Sequence, residues 1–136
     1  MVQYSRYKPK YRYRVEAPVI FNVPEFVGYP CKTDYVKLTA NGLLCIQPQY
    51  AWNGANWPAI NTKSSIPGSL AHDSLYQLIQ LGLLPFELRV KADEVLRRVC
   101  IESGMWVWRA NNWYKAVRVG GSWCAKKRKI KTLEAP

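Results

Sequence analysis

Hydrophobic and polar positions change their spacing once along this chain. Before Pro67, apolar residues come in short runs: Pro18-Val-Ile-Phe-Asn-Val23, Tyr35-Val-Lys-Leu-Thr39 and Gly42-Leu-Leu-Cys-Ile46. Proline, glycine and Asn41-Gly42 separate them, a pattern that predicts roughly three to five short antiparallel strands. Asn-Gly tolerates positive φ at both positions, so a hairpin turn is expected at Thr39–Leu43. Tyr11 to Val15 alternates like a further strand, at the end of an arm of tyrosines, lysines and arginines over residues 1–14. After Pro67 the spacing becomes three and four, which predicts helices near 68–81, 87–103 and 105–118. Leu70, Leu75, Leu78 and Ile79 would face inward from the first, with Pro67 ahead of it and Gly82 as its stop. Ala92, Val95, Leu96 and Val99 would do so from the second, and Trp106, Ala110, Trp113 and Val117 from the third. Gly120-Gly121 is expected to end that helix, with Trp108, Arg109, Lys115 and Arg118 outside, where Trp and Arg suit a lipid-water boundary. The fold class is α+β: a small N-terminal antiparallel sheet, then three helices.

The only histidine, His72, lies on the first helix, followed by Asp73 and, one turn on, Tyr76. His72 and Tyr76 share a face, whereas Asp73 diverges by about 100° and can serve a different centre. Leu83-Leu84-Pro85 turns the chain so that Asp93, about as far from the bend as His72, reaches back to the imidazole. His72, Asp93 and Tyr76 are therefore the candidate catalytic residues: a general base, its orienting carboxylate and a hydroxyl. The loop ahead of this helix reads Gln49-Tyr-Ala-Trp-Asn-Gly-Ala-Asn-Trp-Pro58. A glycine between two asparagines lets carbonyls converge, so Asn53, Gly54 and Asn56 with Asp73 form the candidate site for a hard cation such as calcium. Asn-Gly is equally a plain turn.

At 136 residues and 49% apolar composition the chain fits a single domain, residues 1–136, with a real core. Its parts are the arm 1–14, the sheet and loop 15–58, the helices 68–118 and a polybasic tail 125–136. Cys31, Cys45, Cys100 and Cys124 lie far apart, with no C-x-x-C pair, which argues for reduced thiols and against structural zinc. No apolar run is long enough to span a membrane, and no long apolar stretch follows the N-terminal charges as in a signal peptide. The chain is expected to stay in the cytoplasm where it is made, unless lysis or packaging in a particle carries it out. A net charge of +11 implies an anionic partner: nucleic acid, anionic phospholipid or an acidic protein. Lys126, Lys127, Arg128, Lys129 and Lys131 form the candidate anion-binding run.

The order of Gly-containing loop, His72-Asp-Ser-Leu-Tyr76 and Lys91-Ala-Asp93 resembles the phospholipase A2 core over roughly residues 50–100. It is especially similar to the phospholipase A2 domain of parvovirus capsid proteins. The whole chain resembles a family of small bacteriophage proteins of unassigned function, whose pattern reads W-D-G-x-S-x-P, S-L-x-H-D-x-L-Y-Q-L, R-x-x-A-D and G-M. The matching stretches are Trp52-Asn-Gly-Ala-Asn-Trp-Pro58, Ser69-Leu-Ala-His-Asp-Ser-Leu-Tyr-Gln-Leu78, Arg89-Val-Lys-Ala-Asp93 and Gly104-Met105. Asn53 and Asn56 depart from it, where the pattern has Asp and Ser. Losing that charge predicts calcium binding that is weak or absent.

The resemblances imply two readings, and the basic arm and tail suggest a third. The first is a bacteriophage virion component, of tail or neck, on a phospholipase A2-like helix pair, with other virion proteins as partners. The alternative is a calcium-dependent hydrolase of host-envelope lipids acting in lysis or entry, held on an anionic membrane. A nucleic-acid-binding accessory protein is the third, without helix-turn-helix or zinc-finger spacing. Deleting 125–136 is expected to weaken binding to DNA or anionic liposomes and to flatten its salt dependence, read by titration across ionic strength.

Overall fold

In the computed structural model, residues 2–6, 13–53 and 62–125 are described, with side chains to Gly121. Among the described residues, seven short strands precede three helices, in the order that the change of spacing predicts. They form two antiparallel sheets rather than one. Strands β1 (Tyr4–Arg6), β2 (Tyr13–Val15) and β7 (Ala51–Trp52) make the first, with β2 central. Strands β3 (Val19–Asn22), β4 (Cys31–Lys32), β5 (Val36–Leu38) and β6 (Leu43–Ile46) make the second, in the order β3-β6-β5-β4. Alternation does the sorting here: Val36 and Leu38 of β5 and Leu44 and Ile46 of β6 are buried, while Lys37 between them faces out. The hairpin at Thr39–Leu43 forms, but only Gly42 takes positive φ (+84°), so this is not the double-positive turn expected. The amide of Gly42 bonds the Thr39 carbonyl and the Thr39 hydroxyl accepts from Leu43, closing a five-residue turn.

Helix α1 (Ile66–Gln80) lies at the centre of the core, with Leu70, Ala71, Leu75 and Leu78 fully buried. Pro67 falls inside its first turn rather than ahead of it, where a missing amide proton costs nothing. Helix α2 (Arg89–Glu102) returns antiparallel after a single 3-10 turn at Phe86–Leu88 and buries Ala92, Val95, Leu96 and Val99. Arg98 ties it to the second sheet, donating to Glu25 (2.9 and 3.0 Å) and to the Asn22 carbonyl (2.9 Å).

Helix α3 (Val107–Ala125) departs twice from expectation. It runs through Gly120-Gly121 instead of stopping there. A Cβ on Gly121 would collide with the Tyr76 hydroxyl and lie 3.0 Å from Arg89 Nη1, so glycine allows a close helix approach. That packing outweighs a helix propensity cost of about 1 kcal/mol per glycine. Trp106 also leaves the expected inner face. It precedes the helix, out of helical phase, and is 72% exposed, while Ala110, Trp113 and Val117 pack with Leu96, Cys100 and Met105. Cys31, Cys45 and Cys100 are free thiols. Among the described residues, no helix is long and apolar enough to cross a membrane.

The α1–α2 contact depends on Gly68, whose Cβ would meet Cys100 Sγ and lie 3.2 Å from the Leu96 carbonyl oxygen. Gly68→Ala is expected to destabilise the fold by about 1–3 kcal/mol through overpacking. A lowered urea midpoint with unchanged slope checks this.

Candidate active site

Three helices meet on one carboxylate. Asp93, on the inner face of α2, is completely buried. Its Oδ1 lies 2.7 Å from His72 Nε2 and accepts from the Tyr76 hydroxyl at 2.5 Å, both from α1. Its Oδ2 accepts from Arg118 of α3 at 2.9 Å and stands 3.6 Å from Arg89 Nη1, one turn back on α2. Arg89 also donates to the Val117 and Arg118 carbonyls, so it clasps the last turns of α3 (3.1 and 3.3 Å). The expected trio of His72, Tyr76 and Asp93 is therefore assembled, and the rings of His72 and Tyr76 are 4.0 Å apart.

The donors decide the charge. Burial alone would raise the Asp93 carboxyl, but bonds from His72, Tyr76 and Arg118 hold it below its ordinary 3.8. An ionised Asp93 makes Nε2 of His72 the protonated nitrogen, leaving Nδ1 toward Asp73, whose Oδ1 is 3.6 Å away. Burial would lower the His72 imidazole, yet Asp73 and Asp93 together raise it above 6.5. Burial raises Asp73 above 3.8, against the pull of His72. Tyr76 is pushed far up by burial and by Asp93, so it stays a donor.

The stretch expected as a loop from Gln49 to Pro58 holds the short strand β7 near its start. Trp52 of β7 is buried and its indole donates to Ser69 Oγ at 3.1 Å, one turn before His72. Asn53 follows at once and is exposed; Gly54 and Asn56 lie outside the described residues, as does the run from Lys126 to Lys131. Among the described residues no group of three His, Cys, Asp or Glu side chains is placed to hold a metal. Asp73, half-buried, and Asn53 offer only oxygen, the chemistry a hard cation takes, but with one formal charge between them.

Arg89 and Arg118 are the functional residues that sequence reasoning missed. Arg89 carried a signal, since it stands four before Asp93 on one helix. Arg118, assigned to the outer surface, has none: it reaches Asp93 across 25 residues through helix packing alone. No protein family, curated protein or solved structure was found to match the chain.

Asp93→Asn strands two guanidinium groups, and a cost of roughly 3–5 kcal/mol is expected in urea unfolding, against about 1 kcal/mol for Tyr76→Phe. Because the folded imidazole is raised, its contribution is complete below pH 6.5 and is lost as pH rises through the higher folded value. His72→Gln should abolish that decline above pH 6.5.

Proposed function

We propose that the chain is a bacteriophage accessory protein whose first two helices carry a general-base site for phospholipid ester hydrolysis, of the phospholipase A2 type. The observation that carries the reading is the orientation of His72. Asp93 holds Nε2 at 2.7 Å, so Nδ1 is presented on the side of Asp73. Neutral His72 would take a proton at Nδ1 from a water attacking an ester carbonyl. Asp93 would stabilise the imidazolium formed, and Tyr76 would fix the carboxylate against rotation. Arg118, with His72 and Tyr76, keeps Asp93 ionised. Calcium, held weakly by Asp73 with oxygens from Asn53 to Asn56, would supply electrophilic polarisation of that carbonyl.

A second reading is a virion component of tail or neck, in which the same residues form a hydrogen-bonded clasp. The closure of Arg89 and Arg118 on Asp93 favours it, since two cations beside the carboxylate oppose imidazolium formation.

Purified protein is expected to hydrolyse a mixed-chain phospholipid with millimolar calcium, and His72→Gln to lose about 10²–10⁴-fold of the rate. The base must be neutral, so the rise of rate with pH should be centred above 6.5. A folded wild type with no lipolysis, and an equally inert Asn53→Asp variant, would leave the scaffold reading, for which a fixed copy number in purified particles is the check.

A further inference from the structure

We propose that Trp106, Val107 and Trp108 form a docking surface for an anionic phospholipid bilayer, at the end of the molecule where α1 begins. The inference rests on phospholipid as the substrate class and names the face that meets it. These three consecutive residues are 72, 52 and 60% exposed, and the two indoles lie 6.1 Å apart. Contiguous exposed apolar surface of this kind marks an interaction site, and indole suits the boundary between headgroups and acyl chains.

The patch is rigidly presented. Met105 before it is buried among Leu96, Cys100 and Ala110, and its amide bonds the Cys100 carbonyl at 2.9 Å. Arg109 beside it donates to the Thr62 hydroxyl at 3.1 Å, which joins the first turn of α3 to the segment entering α1. Lys63, exposed, adjoins Thr62. Charge complementarity selects the occupant: Lys63 and Arg109 flank the tryptophans, the chain carries +11, and the nearby Glu102 is paired with Arg98 at 2.6 Å. His72 lies six residues into α1 from Ile66, about 9 Å along the axis from this end. Docking here brings the bilayer to the end of the bundle nearest the histidine. The other exposed apolar cluster of the helices, Leu81, Leu83 and Phe86, belongs to the α1–α2 turn at the far end.

The test uses the full chain with vesicles of phosphatidylcholine and phosphatidylglycerol, against phosphatidylcholine alone. Tryptophan fluorescence of the wild type should be quenched by brominated acyl chains at saturating lipid. W106A/W108A should weaken partitioning about tenfold or more while leaving DNA binding intact, whereas L83A/F86A should not weaken it. W106F/W108F should still bind but lose most of the quenched signal. His72→Gln should bind like the wild type, so that loss of docking and loss of hydrolysis are read separately. Absence of quenching in the wild type, or unchanged partitioning of W106A/W108A, overturns the proposal. So does a wild-type dimer that becomes monomeric in W106A/W108A, because a second copy would then cover the patch.

Discussion

The arrangement of the helices depends on a buried carboxylate that has no water to solvate it. Asp93 is enclosed where three helices converge, and an unpaired charge there would cost several kcal/mol. Its stability comes from three donors, an imidazole and a phenol from α1 and a guanidinium from α3, and from the charge of a second guanidinium on its own helix 3.6 Å away. Each donor fixes a relation between helices. His72 and Tyr76 set the register of α1 on α2, and Arg118 sets the last turns of α3. Arg89 serves twice, toward Asp93 and toward two α3 carbonyls.

The same constraint explains why the third helix continues through a glycine pair. For Arg118 to reach Asp93, α3 must pass so close to Tyr76 and Arg89 that no Cβ fits at Gly121. Glycine weakens the helix locally but allows the approach, and the ion pairs it makes possible repay the loss. At the opposite end Gly68 does likewise for α1 and Cys100. The bundle is thus pinched at two levels by small residues, and the exposed tryptophans lie at the end where Gly68 sits.

Two opposing electrostatic influences bear on His72. Two carboxylates raise its proton affinity, one on each ring nitrogen, while the arginines on Asp93 temper the nearer field. A base in such surroundings works above its raised pKa, where the imidazole is neutral, and a structural clasp is strongest below it. Stability therefore declines with rising pH in either reading, and a rate that rises over the same range belongs to the hydrolase alone.

Much of this was legible in the sequence because it is local. The change from alternating to helical spacing at Pro67 marks where sheet gives way to helix, since side-chain direction repeats with period two in a strand and 3.6 in a helix. One turn between His72 and Tyr76, and a tight bend before Asp93, were enough to bring the three together. What periodicity does not carry is the packing of one element on another. Nothing in the arm 1–14 says that β2 pairs with β7 rather than with its neighbour β3, making two sheets. Arg118 reads as a solvent-facing cation and Trp106 as core, and tertiary structure reversed both. A buried charge outbid water for the guanidinium, and Trp106 fell just outside the helix whose phase would have turned it inward.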